Sequence, residues 1–338
     1  MSNKIPAQAA SRGKGRLIAI IIMFFLFAMI AFVTNLAAPL GTVWKGHYSW
    51  AGMMGNLMNF AAYLFMGIPA GNLLQRIGYK KTALIALALG FTGMGVQYLS
   101  SIVGAGTAVC SIGGRPVMLN FIVYLAGAFI GGFCVCMRNT VVNPMLTLLG
   151  GGGNKGNQLL QTGGALNSLS ATFTPVLVGI LVGQVTATTS ITEVVPLLGI
   201  AMGVFAVSFI VISFVSIPDP DNNSGAPRQK APYSPWNFRH TVLGVIGIFF
   251  YVGIEVGIPG TLIFYLSDSA ASGITINATS IATAVAAVYW LLMLLGRLTS
   301  SVISGRISSK VQLTVASSIA ILLVTAAIFT PALSLIHI

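Results

Sequence analysis

The sequence has few charged residues, and acidic ones are the rarest. Only 7% of its 338 residues are charged, and just five are Asp or Glu, against 17 Lys and Arg. A soluble domain carries about 25% charged residues, so a water-soluble fold of this length could not cover its surface. Hydrophobic residues make up 56% of the chain, and the mean hydropathy is +0.91. These values predict an all-α membrane protein that crosses the bilayer several times.

Cysteine and histidine are also scarce, with three of each. Cys134 and Cys136 lie two apart in an apolar segment, on different helix faces, so the cysteines suggest neither a disulfide framework nor a zinc site. The sequence has no H-E-x-x-H motif and no paired intramembrane carboxylates. We therefore expect no enzyme activity, no cofactor and no metal.

The net charge of +12 could indicate nucleic-acid binding. Here, however, the basic residues lie in short loops between apolar runs rather than on one face of a domain. If the N-terminus is inside, the outer loops hold only Lys45 and Arg115. Short loops rich in Lys and Arg stay in the cytoplasm, so this asymmetry predicts a cytoplasmic N-terminus and no nucleic-acid partner.

Nine apolar runs approach or exceed the length that crosses a bilayer, about 20 residues. Residues 1–16 are a basic cytoplasmic segment, 17–217 hold six runs, 218–239 form a polar, proline-rich cytoplasmic linker, and 240–332 hold three more. We predict a six-helix N-terminal bundle and an incomplete C-terminal bundle. The chain stops inside its ninth run, so we expect a C-terminally truncated fragment in which residues 333–338 are not native.

A short basic turn separates the second and third runs. Glycines and Pro69 close one apolar run, and Arg76, Lys80 and Lys81 follow with no acid among them. Downstream, Arg306–Lys310 repeats the Arg, Ile and Lys of this turn. The partial repeat indicates two related halves.

Two halves, a polar linker and this basic turn together resemble the major facilitator superfamily, whose turn reads roughly G-x-x-x-D-R-x-G-x-K/R. Gln75 stands where the acid is usual, which puts the family's acid-based gating contact in doubt. The resemblance implies twelve helices in the complete protein, of which about nine are present here. The residues of the predicted gating turn are Gly71, Arg76, Gly78 and Lys80, with Arg306 as the counterpart in the second half.

Shorter segments are similar to one branch of that family, the fucose, glucose and galactose proton symporters. The resemblance implies proton-coupled uptake of a hexose or 6-deoxyhexose by alternating access, by a monomer in the bacterial inner membrane. Its partners would be the sugar, protons and the lipid bilayer. The similar segments are Gly-Ile-Pro-Ala-Gly at 67–71, Asn143-Pro144, Gln161-Thr162, Asn167-Ser168, the run 249–256 and Gly296-Arg297.

In a fucose-transporting member of the branch, acids in the first and fourth spans are implicated in proton coupling. Those positions fall on Asn35 and Asn139 here. Amides bind sugar hydroxyls but do not carry a proton at physiological pH, so that coupling scheme does not transfer residue for residue.

Glu255 is the one carboxylate in the middle of an apolar span. A charge there costs at least about 2.5–3.5 kcal/mol on insertion scales, and such residues usually face a cavity and serve transport. We expect Glu255 to carry the proton; the alternative is that it pairs with a polar neighbour and only fastens helices. Tyr251 lies four residues earlier, on the same helix face, where its ring is placed to stack on a sugar.

Amides in the first, fourth and fifth spans are expected to bind sugar, because an amide both donates and accepts hydrogen bonds. Any one of them could equally join two helices, which is worth less than about 2 kcal/mol. The predicted substrate site consists of Asn35, Asn139, Asn143, Gln161, Asn167, Tyr251 and Glu255.

Other interpretations stay open. Arg138 is expected to extend its charge to the inner interface, or else to sense an anionic substrate or pair with Glu255. Tyr289 and Trp290 line the cavity or pack between helices. The substrate could be another polar metabolite, or the protein could be a receptor that senses sugar without moving it.

Overall fold

The computed structural model describes residues 14–183, 185–186, 188–215, 217 and 234–329. These ranges are nearly all helical. Most of the predicted N-terminal segment and linker, and the whole tail at 333–338, lie outside the described residues, so their predicted boundaries stay predictions.

The described ranges contain eight long α-helices and one short α-helix, besides three 3-10 helices of three or four residues. The long helices form because an apolar run in a membrane must satisfy its own backbone hydrogen bonds. All except α7 are long and apolar enough to cross a membrane. The helices are α1 (Lys14–His47), α2 (Met54–Leu99), α3 (Leu119–Leu149), α4 (Gly153–Val182), α5 (Val195–Phe214), α6 (Arg239–Ser267), α7 (Ser269–Ser272), α8 (Ala278–Ser304) and α9 (Ser309–Phe329).

Helix α2 is too long for one crossing. Its 46 residues would span about 69 Å at 1.5 Å per residue, whereas the hydrocarbon core is about 30 Å thick. Gly78 interrupts it with φ 82° and ψ 174°, a conformation that glycine adopts without steric cost. Helix α2 is therefore two helices that meet at Gly78. The predicted total of nine crossings follows if both parts cross, and it stays a prediction.

The basic turn is shorter than predicted. Pro69 and Gly71 lie inside the first part of α2, which continues to the break at Gly78. Pro69 lies near the close of the apolar run without ending the helix, because membrane helices tolerate proline where neighbouring groups satisfy the freed backbone. After the break, the Lys80 ammonium donates a 2.8 Å hydrogen bond to the Ser213 carbonyl. This bond satisfies one of the free carbonyls at the end of α5.

Part of the predicted outer loop forms a small antiparallel sheet. Strand β1 (Ala108–Ile112) pairs with β2 (Arg115–Met118) across Gly113 and Gly114, which have φ of 59° and 77°. Two glycines with positive φ suit the tight turn that joins two strands. The all-α prediction missed this hairpin, which the Gly-Gly pair could have indicated.

The first five helices share a core. Helix α2 packs on α3 and α5, and α1 packs on α4. Trp44, Phe121, Tyr124 and Phe205 are among the largest fully buried side chains of this bundle. Helices α6 and α9 expose most of their apolar side chains instead. Helix α8 joins the two parts of the molecule, because it packs against both α4 and α6.

Glycines allow the close approach of α2 and α3. A Cβ on Gly93 would lie 2.6 Å from the backbone nitrogen of Gly131. We therefore expect Gly93→Val to lower the free energy of unfolding by about 1–3 kcal/mol, measured by thermal unfolding in detergent. Gly203→Val is the matched control, because no described atom lies within 4 Å of a Cβ there. Equal losses in both variants would contradict this packing.

Candidate functional site

Arg297 of α8 is the centre of a polar cluster between helices. One guanidinium nitrogen, Nη2, forms an ion pair with Oε1 of Glu255 at 2.5 Å and also donates to the Tyr251 hydroxyl at 3.2 Å. The side chains of Arg297 and Glu255 are 18% and 16% exposed. Tyr251 and Glu255 lie one turn apart on α6, as their spacing predicted. The acid is thus neutralised by a cation from another helix.

The other guanidinium nitrogen of Arg297 contacts α4. Its Nη1 donates to the Gly164 carbonyl at 2.9 Å and to Oδ1 of Asn167 at 3.4 Å. A Cβ on Gly164 would lie 3.4 Å from Cδ of Arg297, an ordinary van der Waals distance, so the arginine side chain packs directly against α4 here. The Asn167 amide donates in turn to the Phe27 carbonyl of α1 at 2.9 Å. One network therefore links α1, α4, α6 and α8.

A polar seam continues from this cluster between α4 and α8. Thr162 and Ser301 share a hydrogen bond of 2.7 Å, and the Asn157 amide donates to the Ser304 hydroxyl at 3.2 Å. The Ser301 hydroxyl also donates to the Gln158 carbonyl at 3.3 Å. Hydroxyl and amide pairs of this kind hold membrane helices together without a charge.

The two parts of the molecule also meet at the end of α1 that holds Lys45. The Lys45 ammonium lies 4.7 Å from the centre of the Phe264 ring of α6. A Cβ on Gly52 would lie 2.9 Å from the same ring, and one on Gly260 would lie 2.9 Å from the Met53 methyl group. Helix α6 is therefore in contact with the N-terminal bundle beyond the Arg297 cluster.

The predicted substrate residues divide into two groups. Asn167, Tyr251 and Glu255 come together around Arg297. Asn139 donates instead to the Tyr63 hydroxyl at 2.8 Å, inside the N-terminal bundle, and the Asn35 amide donates to the Ala31 carbonyl of its own helix at 2.8 Å. Among the described residues, no hydrogen-bond partner is found for the half-buried amides of Asn143 and Gln161.

Arg138 does not extend its charge to an interface, so that prediction is wrong. Its side chain is 0% exposed, and none of its three guanidinium nitrogens has a hydrogen-bond partner in the described part of the chain. The guanidinium lies 5.5 Å from the centre of the Phe205 ring, a cation–π contact. The alternative prediction, that it pairs with Glu255, is also wrong in this structure, because Glu255 pairs with Arg297.

Arg297 is the member of this cluster that the sequence interpretation did not include among the candidate site residues. Arg297 lies inside α8, and its side chain is mostly buried. The signal was available, because an arginine inside an apolar span is as unusual as an acid there. Tyr289, also on α8, donates to the backbone carbonyl of Glu255 at 3.2 Å and packs edge-on against Trp290.

The gating-turn residues do not form one contact. Gly78 makes the backbone break and Lys80 binds the end of α5, whereas a Cβ on Gly71 would have no described atom within 4 Å. Arg76 and Arg306 are exposed. A groove of about 470 Å³ runs along α6 from Gly253 to Tyr265 but contains none of the predicted binding residues.

Comparison of the sequence with known proteins identifies the family of the chain. The family model described as Major Facilitator Superfamily matches residues 17–338. Proteins named "Glucose/galactose transporter" from Brucella abortus biovar 1 (strain 9-941) and Brucella abortus (strain 2308) are each 28% identical over 265 residues. That alignment covers 77% of this chain and 60% of each relative.

A protein of Helicobacter pylori (strain ATCC 700392 / 26695) is 27% identical over 319 residues, which cover 90% of this chain and 72% of that protein. The chain thus spans about three fifths of the length of the Brucella relatives. Their names agree with the branch that the sequence motifs indicated, and the family model covers nearly the whole chain. The chain belongs to the major facilitator superfamily.

Proposed function

We propose that the protein is a secondary active transporter that takes up a hexose or 6-deoxyhexose together with a proton. In the proposed cycle, the two parts of the molecule move against each other and expose a site in the middle of the membrane to either side. The names of the Brucella relatives support a hexose as the substrate. We further propose that the protein acts as a monomer in the bacterial inner membrane.

One observation carries this proposal: Glu255, an intramembrane acid, lies where α4, α6 and α8 meet. An acid in this setting can bind and release a proton, and intramembrane acids usually serve transport. Asn167 and Tyr251 contact the same guanidinium as Glu255. They supply an amide and a phenol that can bind or stack on a sugar.

The proposal is tested by uptake of labelled glucose, galactose and fucose into vesicles that contain the full-length protein. We expect one of these sugars to accumulate when the outside is made acidic, and not when a protonophore dissipates the gradient. Glu193→Gln is a suitable control variant, since Glu193 is exposed and only caps a short helical turn. Accumulation that ignores the proton gradient would contradict proton coupling.

Transport of a different polar metabolite is the second candidate. The amides at Asn35 and Asn139, where a fucose-transporting relative carries acids, bond within their own bundle here. A substrate panel in the same vesicles separates the two candidates. Sugar binding without any exchange across the membrane would favour a receptor instead.

We propose a cytoplasmic N-terminus, which Cys110 can test. Cys110 is exposed on β1, whereas Cys134 and Cys136 are buried. We expect an impermeant maleimide to label right-side-out vesicles through Cys110 and to leave sealed inside-out vesicles unlabelled. Cys110→Ser should abolish the labelling. Labelling of inside-out vesicles alone would place β1 in the cytoplasm and reverse the proposed topology.

A further inference from the structure

We propose that the hairpin of β1 and β2 binds the lipid surface of the membrane. Ile112 reaches the boundary between the headgroups and the acyl chains, and the Arg115 guanidinium binds a lipid phosphate. The partner is the bilayer that surrounds the protein, so the hairpin anchors the N-terminal bundle at that surface. The inference goes beyond the proposed transport and holds for any substrate and for either orientation of the chain.

The hairpin starts at the edge of the hydrocarbon core. The second part of α2 runs from the break at Gly78 to Leu99, and at 1.5 Å per residue it is about 32 Å long. The hydrocarbon core is about 30 Å thick, so Leu99 lies close to its surface. A Cβ on Gly104 would lie 2.8 Å from the Cβ of Leu119, so α3 begins at the same level as α2 ends. Both ends of the hairpin are therefore at the membrane surface.

Hydrogen bonds fix the base of the hairpin to the N-terminal bundle. The backbone N–H of Met118 donates to the Tyr48 hydroxyl at 3.0 Å, and the N–H of Leu119 donates to the Thr107 carbonyl at 2.8 Å. The Val117 side chain, also at the base, is buried. The bundle therefore sets the orientation of both strands relative to the membrane.

The strand register decides which face of the hairpin is turned toward the membrane. Residues directly opposite each other on two strands share a face, and successive side chains alternate between faces. Cys110 pairs with Val117, and Ile112 pairs with Arg115, so these four side chains lie on one face. Because Val117 is buried against the bundle, this face points toward the bundle and the membrane surface beside it. Ser111 lies on the opposite face, toward water.

The tip of this face is apolar and is not covered by the described part of the chain. Ile112 is 48% exposed, and Val109 at the bulge in β1 is exposed as well. Leu99 and Ile102, which lead into the hairpin, are also exposed. The exposed apolar surface is thus continuous from the end of α2, which faces lipid, to the tip. A two-stranded hairpin has little stability of its own in water, and contact with lipid adds the apolar burial that it lacks.

The charge of the hairpin suits a lipid phosphate. Arg115 is the one charged residue between Lys81 and Arg138, and the described ranges contain no ion pair between Arg115 and an acid. Its alkyl stem can lie beside Ile112 while its guanidinium stays at the headgroups. A guanidinium binds phosphate through two parallel hydrogen bonds. Apolar side chains next to a basic one are typical of segments that lie in the membrane interface, so this face favours lipid over a protein partner.

The test measures the depth of a spin label on Cys110, with the full-length protein in lipid vesicles. Cys110 is exposed, whereas Cys134 and Cys136 are buried, and mass spectrometry confirms which thiol carries the label. Power saturation compares the label's collisions with oxygen, which concentrates in lipid, and with a water-soluble nickel chelate. The control carries the label on Ser111→Cys in a Cys110→Ser background, on the opposite face of the same strand. We expect the ratio of oxygen to chelate accessibility to be several-fold higher for Cys110 than for the control.

Two matched variants test which side chain holds the hairpin on the lipid. Ile112→Asp places an acid beside the phosphates, so the ratio at Cys110 should fall to the control value. Ser111→Asp makes the same change on the opposite face and should leave the ratio at Cys110 unchanged. Arg115→Gln should lower the ratio only in part, because Ile112 still contacts lipid.

Two results would overturn the proposal. A label on Cys110 that meets the chelate as often as the control label does would place this face in water. Dipolar broadening between labels on Cys110, lost when labelled protein is diluted with unlabelled protein, would show that a second copy of the chain covers the face in place of lipid. Neither result would bear on sugar transport, which the uptake assay tests separately.

Discussion

Replacing Glu255 with glutamine is expected to abolish proton-driven sugar accumulation. A pH difference of one unit stores about 1.4 kcal/mol per proton, which concentrates a sugar about tenfold at one proton per sugar. An amide cannot take up that proton at physiological pH, so the accumulation ratio should fall from about ten to about one. Exchange of labelled for unlabelled sugar should decline far less, because exchange needs no net proton movement. The measurement is uptake into energised vesicles alongside exchange in unenergised ones.

The control must separate lost coupling from lost folding. Glu255→Gln leaves the charge of Arg297 without its ionic partner, and an uncompensated buried charge is destabilising. The double variant Glu255→Gln/Arg297→Gln removes both charges. Both variants should therefore fail to accumulate sugar, with the double variant the more stable of the two. If Glu255→Gln accumulates sugar as wild type does, Glu255 does not carry the proton.

Replacing Arg138 with methionine is expected to stabilise the fold. The Arg138 side chain is 0% exposed, and no described group accepts a hydrogen bond from its guanidinium. The free-energy cost of burying this charge is therefore not offset by hydrogen bonds to the described residues. Replacing buried charges by apolar side chains of similar volume is often neutral or stabilising, by about 1–4 kcal/mol. Because nothing described pairs with Arg138, we expect a gain within this range. The measurement is the midpoint of thermal unfolding in detergent.

Arg138→Lys is the matched variant for this prediction. It retains a buried charge but gives up the planar contact with Phe205, so it should unfold at a lower temperature than wild type. A loss of stability in Arg138→Met would mean that the guanidinium binds water or an anion in the protein. In that case the water or anion, rather than the Phe205 ring, would be the main partner of the guanidinium. The cation–π contact alone is worth about 2 kcal/mol when desolvated.

Local features of the fold were predictable because they depend on neighbours in sequence. Apolar runs predicted the helices, and the basic cluster predicted a break in the helix close to Gly78. The position of Tyr251 and Glu255 on one face of α6 follows from their four-residue spacing. The extent of the turn was not predictable from composition, because Pro69 ends a soluble helix more readily than a helix whose neighbours satisfy the backbone.

Contacts between segments that are distant in sequence could not be predicted from the sequence. Arg297 meets Glu255 from another helix, 42 residues along the chain, and meets Gly164 from 133 residues away. Asn139 has the same amide chemistry as Asn167, yet it bonds to Tyr63 rather than joining the cluster. The side-chain chemistry alone could not predict which of these amides joins the Arg297 cluster. The rotation of each helix about its axis decides which side chains face one another.

The sequence by itself determined that this is a membrane protein of the major facilitator type with one acid inside an apolar span. The length of a hydrophobic run and the high free-energy cost of an intramembrane charge are properties of a single segment, so they can be predicted without the tertiary structure. Only the tertiary structure decided that Arg297 neutralises that acid and that Arg138 is buried without a described partner. Both facts depend on how α3, α5, α6 and α8 pack, which no single segment encodes.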